Sequence, residues 1–165
     1  MRVAPIAYVA ESIDEAEQLA IASAEVTHNH EEGIKGAKAV ASAIYLVRMG
    51  KNKGEIMDHI KNNYYDLDFK LDDIRMHYCF DNSCQGSVPQ AIVAFLESTS
   101  LEDAIRNAIS IGGDSNTIAA IAEAYYGIPE SIRHEGLKYV SNDLIGETFE
   151  LFLNYCPAYS ESHHS

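Results

Sequence analysis

Apolar residues recur at helical spacing through almost every long stretch of this sequence, and nowhere do they alternate with polar ones over a strand's length. Each periodic stretch also carries its own start and stop signals, which narrows the fold class to all-α, a compact multi-helix bundle. Ser12 to Glu15 reads as a capping box, and Ile13, Ala16, Ala20 and Ala24 share one face of the helix it opens, which runs to about Thr27. A second helix from about Glu31 carries Ile34, Ala37, Ala41 and Ile44 on a stripe rich in small residues, and Gly50 stops it. Residues 54–63 form a short third helix. Residues 66–81 have weak periodicity and two turn-prone aspartates, Asp72 and Asp73, and read as a loop holding one helical turn.

Ser87-Val88-Pro89-Gln90 reads as a further capping box, with proline in the first turn, launching a helix with Val88, Ile92, Phe95 and Leu96 on one face. Ser100 and Asp103 repeat the device for a stripe of Leu101, Ala104, Ile105, Ala108 and Ile109. Gly112-Gly113 ends that helix, and Asp114-Ser115-Asn116-Thr117 begins another that stops at Gly127. Pro129 opens a short helix, and Ser141 or Asn142 caps a last one carrying Ile145, Phe149 and Phe152. No linker or repeat interrupts the pattern, so the 165 residues read as one helical domain over 1–157 and a flexible tail over 158–165.

Twelve Lys plus Arg against 25 Asp plus Glu give a net charge of −13, which repels nucleic-acid backbones and anionic lipid. An anionic small ligand then needs local help from a metal ion or from helix N-termini. The longest apolar run, Ala39 to Val47, is too short to cross a bilayer, and no signal-peptide pattern opens the sequence. Three cysteines, at 79, 84 and 156, with no CxxC, fit a reducing compartment, so the expected localisation is cytoplasmic.

Chemistry concentrates at two places. Asp114 and Thr117 stand three apart at a helix start behind two glycines, and a carboxylate, an amide oxygen and a hydroxyl on one turn are the hard donors that Mg²⁺ or Ca²⁺ prefers. The same residues also read as an ordinary helix stop followed by an Asp or Ser cap. Thr27-His28-Asn29-His30 offers two imidazoles between helices, either a metal or proton-transfer pair or a capping and surface pair. GxSxG is absent, so no nucleophile elbow is supported, and Cys84 reads as a small buried residue because free cysteines are so often buried.

Three stretches in order, Thr27-His28-Asn29-His30-Glu31-Glu32-Gly33, Ser83-Cys84-Gln85-Gly86-Ser87-Val88-Pro89-Gln90-Ala91-Ile92 and Gly112-Gly113-Asp114-Ser115-Asn116-Thr117-Ile118-Ala119, resemble the ADP-ribosylglycohydrolase family. Ala124-Tyr125-Tyr126-Gly127-Ile128-Pro129 extends the likeness, which runs from Met1 to about Phe152. The resemblance implies an all-helical hydrolase that uses a pair of Mg²⁺ ions to release ADP-ribose from ADP-ribosylated acceptors such as protein side chains. It implies metal ligands at Asp114, Asn116 and Thr117 and substrate contacts from His28, Gly113 and Ser115, and it leaves the catalytic residue unknown.

The sequence departs from that pattern in three ways. The family's N-terminal Thr-Asp-Asp ligands and catalytic carboxylate have no counterpart, since Met1-Arg2-Val3-Ala4-Pro5 resembles the interior sequence that follows a glycine-rich substrate loop. Asn116 stands where the family carries Asp, and Ile121 runs directly into Ala122 where relatives have about one more helical turn. These departures imply at most a partial metal site and a truncated enzyme. The other readings are half of a split enzyme awaiting its N-terminal partner, or a non-catalytic ADP-ribose-binding or remnant module.

Overall fold

A computed structural model describes residues 2–127 and, beyond them, 130–136, 138, 139, 143, 147 and 148. Every regular element among the described residues is a helix: α1 Ala4–Val9, α2 Ile13–His28, α3 Glu31–Arg48, α4 Lys53–Asn63, α5 Leu71–Ile74, α6 Cys84–Glu97, α7 Leu101–Ser110, α8 Ser115–Glu123 and α9 Glu130–Gly136. The chain divides into two units at Gly127, and α1 to α8 belong to the first. The last helix expected from Ser141 or Asn142 and the tail at 158–165 lie outside the described residues.

At the centre of the first unit is α3, packed against α1, α2, α4 and α6, while α8 packs on α6 and α7. Of residues 36–44 only Lys38 is not buried, because glycine, alanine and serine predominate there and let neighbouring helices approach on several sides. Ser42 is fully buried with its hydroxyl returned to the Ala39 carbonyl 3.2 Å away, so the one polar side chain in this stripe is satisfied within its own helix.

The start signals place α2 and α7 as expected: Ser12 and Ser100 each accept the backbone N–H of the residue three further on, and Asn52 caps α4 in the same way, a start signal missing from the sequence reading of 54–63. The one-turn helix expected within 66–81 is α5. Two elements differ from expectation. The short α1 has Pro5 in its first turn, where a missing N–H costs nothing, but at six residues it is too brief to leave a periodic stripe. Helix α6 begins at Cys84 rather than at Ser87: the Ser83 hydroxyl accepts the Gly86 N–H at 3.0 Å, while Ser87 is buried and donates to the Asp81 carbonyl. Pro89 therefore sits inside the helix instead of in its first turn, the placement that makes Ser87 look like a cap.

Two cations stitch helix ends to the bundle. Arg48 donates to the carbonyls of Ala7, Tyr8 and Ala10 at 2.8–2.9 Å and so closes the C-terminus of α1. Lys53, at the start of α4, reaches the end of α6, where its ammonium donates to the carbonyls of Phe95 (2.7 Å), Leu96 and Ser98 and lies 4.8 Å from the centre of the Phe95 ring. Replacing Lys53 with Met keeps the aliphatic stem and leaves those carbonyls without their charged donor. The expected loss is about 2–3 kcal/mol, read as a fall in Tm of roughly 5–10 °C by differential scanning fluorimetry.

A polar cluster ties α2 to α3 and the end of α4: Glu17 accepts from Lys38 at 2.7 Å and from the Tyr64 hydroxyl. Burial alone raises the Glu17 carboxyl, but the Lys38 and Tyr64 hydrogen bonds together outweigh it and hold the group below the ordinary carboxylate value. Its stabilisation is therefore fully present above about pH 4.3 and lost as pH falls through the depressed value. In the Lys38→Met, Tyr64→Phe double variant burial is opposed only by the lesser influence of His59, and the carboxyl moves up. The stability gap between wild type and variant, measured by urea denaturation, should then narrow from about pH 7 to about pH 3; a constant gap would contradict this account.

Candidate ligand and metal site

Helices α2, α3, α6 and α8 meet around a cleft of about 430 Å³. The end of α2 contributes Thr27 and His28, the first turns of α3 contribute Gly33 and Gly36, the start of α6 contributes Ser83, Cys84 and Ser87, and α8 contributes Thr117 and Ile121. Arg2 and Asn82 complete its polar lining. In a chain of net charge −13 the described residues of this lining include an arginine and no Asp or Glu.

The glycines of α3 make the cleft's back wall possible. A β-carbon at Gly33 would lie 2.7 Å from the His28 carbonyl, and one at Gly36 would lie 3.0 Å from Cβ of Cys84 and 3.3 Å from the Tyr65 hydroxyl. Their bare backbone lets the α2 terminus and the α6 start close against α3. Cys84 is half-buried; burial, reinforced by the charge of Glu32, pushes its thiol up, so it presents a neutral S–H and not a thiolate. This matches its reading as a packing residue in chemistry but not in burial.

The histidine pair divides. His30 caps α3, its Nδ1 accepting the Glu32 N–H at 3.3 Å. His28 lines the cleft with Nδ1 2.7 Å from the Thr27 hydroxyl, which also accepts from the Arg2 guanidinium. Arg2 thus holds Thr27, and Thr27 orients the imidazole.

At the other wall, Gly112 and Gly113 both take left-handed φ, 76° and 67°, and turn the chain from α7 into α8. Asp114 occupies the N-cap position yet its side chain makes no capping bond; its carbonyl accepts the Ile118 N–H instead. The carboxylate is therefore not committed to the helix it precedes. Of the positions implied by resemblance, His28 and Thr117 line the cleft, Gly113, Asp114 and Ser115 lie on the adjoining turn outside the lining, and Asn116 is exposed.

The carboxylate of Asp114, the amide of Asn116 and the hydroxyl of Thr117 are hard-oxygen donors of the kind Mg²⁺ takes, and they number three of the six oxygen ligands an octahedral site needs. Among the described residues no group of three or more His, Cys, Asp and Glu side chains converges to add to them. No helix among those residues is long and apolar enough to cross a membrane.

Sequence reasoning missed Arg2 as a contact of Thr27, although it is the sole Lys or Arg before Lys35. It also missed that Asn82 and Ser83 line the same cleft as Thr117 of α8, a juxtaposition of segments far apart in sequence that no local pattern records.

Comparison with known proteins accords with this geometry. The family model described as ADP-ribosylglycohydrolase matches residues 1–137. A protein of Archaeoglobus fulgidus is 31% identical over 159 residues, covering 84% of this chain and 52% of its own length. The human and bovine ADP-ribosylhydrolases ARH3 are each 26% identical over 201 residues, covering 90% of this chain and 55% of theirs. The chain spans about half the length of these relatives. With most of its length matched by the family model, and with the three motif stretches gathered around one cleft, the chain belongs to the ADP-ribosylglycohydrolase family.

Proposed function

We propose that this chain, with residues 1–157 as its helical domain, supplies the C-terminal half of a Mg²⁺-dependent site that releases ADP-ribose from ADP-ribosylated acceptors, in a reducing, cytoplasmic setting. The observation that carries the reading is a cleft free of carboxylates in a strongly acidic molecule, bordered by a turn whose aspartate makes no cap bond. An ADP-ribose diphosphate is repelled by most of this surface and tolerated here, where Arg2 and the N–H groups opening α6 offset its charge. Names of the relatives support the substrate class: ARH3 is described as an ADP-ribosylhydrolase.

In this reading Asp114, Asn116 and Thr117 hold the metal, while His28, Gly113 and Ser115 contact the substrate. Bound Mg²⁺ would supply charge stabilisation and orientation of the ribose hydroxyls. The chain's own residues bind and orient: Arg2 and Thr27 fix the His28 ring, and the α3 and α6 walls exclude water from the apolar part of the cleft. The family's remaining ligands and its general acid would come from a complementary N-terminal portion, on the same polypeptide or a separate one.

A second reading, a non-catalytic ADP-ribose-binding module, is favoured by the short donor set and by the lack of a carboxylate in the cleft lining to serve as general acid. Both readings expect ADP-ribose to bind, and only the first expects turnover once the complementary half is present.

Isothermal titration of the chain with ADP-ribose in Mg²⁺ should give a heat that falls by roughly tenfold in affinity in Asp114→Ala. Absence of heat from the wild-type chain would overturn the proposal. Asn116→Asp restores a ligand charge and should tighten Mg²⁺ binding by roughly tenfold, because ligand charge count tunes affinity at hard-oxygen sites; unchanged affinity would remove Asn116 from the ligand set.

A further inference from the structure

The turn that carries Asp114 is built from two consecutive glycines, the residues with the greatest backbone freedom in the unfolded and folded chain alike. A turn that must hold a ligand side chain in place needs something outside it to restrict it. A β-carbon placed at Gly112 would meet nothing within 4 Å, so that residue is unsupported. At Gly113 it would stand 2.2 Å from Cε1 and 3.0 Å from Cδ1 of Tyr78, so the phenol ring lies directly on the glycine backbone.

Tyr78 is anchored at its far end as well. Its hydroxyl donates to the Gly86 carbonyl in the first turn of α6. The same loop is held three residues further on by Asp81, whose carboxylate accepts the Ser83 N–H at 2.8 Å and fills the space where a β-carbon of Gly86 would be, 2.2 Å from Cγ. The Asp81 carbonyl accepts the Ser87 hydroxyl at 3.0 Å. One short loop thus rests on two glycines, one opening α6 and one preceding α8. Those two helices supply Ser83, Cys84 and Thr117 to the cleft.

We propose that Tyr78 is a positioning residue: its ring, pressed on Gly113, restricts the glycine turn and so holds the Asp114–Thr117 segment toward the ligand, while its hydroxyl on Gly86 is a dispensable second anchor. The ligand readout rests on the ADP-ribose reading above; the restriction of the turn does not. Displacing a ligand-bearing turn by about 1 Å can cost on the order of a hundredfold in a positioned site, so a tenfold effect is a modest expectation.

The test compares Tyr78→Leu and Tyr78→Phe with the wild-type chain. Phe keeps the ring on Gly113 and loses only the hydroxyl; Leu fills volume but has no flat face for the glycine backbone. Well below each protein's Tm, ADP-ribose affinity in Mg²⁺ should fall about tenfold or more in Tyr78→Leu and stay within about threefold of wild type in Tyr78→Phe. Amide hydrogen exchange at 112–117, read without ligand on the same proteins, should quicken in Tyr78→Leu and not in Tyr78→Phe. A Tyr78→Leu chain with lowered Tm, wild-type affinity and unchanged exchange would show plain packing and overturn the proposal. Equal loss in both variants would overturn the role given to the ring. If the wild-type chain takes up no ADP-ribose, the proposed function fails on its own, and the exchange data alone decide whether Tyr78 restrains the turn.

Discussion

The whole arrangement depends on how closely other helices can approach α3. Burial of residues 36–44 with a single interruption is unusual for a helix of this composition, because alanine and glycine offer little apolar area of their own. Their value lies in what they allow larger neighbours to do. Ile56, Ile60, Leu71 and Ile92 are buried around the bundle at 1% exposure or less, and a leucine in place of Ala39 or Ala43 would have to displace its neighbours rather than fill a void. The same smallness at Gly33 and Gly36 lets the end of α2 and the start of α6 close the back wall of the cleft. Packing and site are consequences of one compositional choice.

Charge is organised around that cleft in a way the net value conceals. Most of the acidic residues are exposed, in helix first turns or paired with lysine and arginine one turn away, as in Glu102–Arg106 and Lys51–Glu55. Such pairs contribute little to stability, but they leave the concave surface to Arg2, His28 and the α6 start. The two cations that are most enclosed by hydrogen bonds, Arg48 and Lys53, are turned inward to close helix ends. The basic groups thus divide between holding the fold and shaping one pocket.

Much of the fold was legible from sequence because helix boundaries are local events. A serine three residues before a waiting N–H is the whole cause of the cap, so Ser12 and Ser100 give themselves away. Ser87 misleads for the complementary reason: it carries the same short pattern, but Ser83 and Asp81, organised by a loop, take over the helix start. The site was legible only as separate motifs. That His28 and Thr117 face the same space follows from the packing of α2, α3 and α8, and the part played by Tyr78 follows from a glycine 35 positions away, for which spacing holds no signal.

The uncommitted carboxylate of Asp114 separates a scaffold from a site. An aspartate at a helix N-cap ordinarily lowers its own free energy by accepting one of the free N–H groups, a gain of about 1 kcal/mol. Here the φ and ψ of −78° and 63° that follow two left-handed glycines turn the side chain away from that bond. Gly112 and Gly113 sit at the positive φ where glycine is the least strained residue, so the stop of α7 accounts for both, and the aspartate that follows at a cap position without capping is the one feature helix stability leaves unexplained.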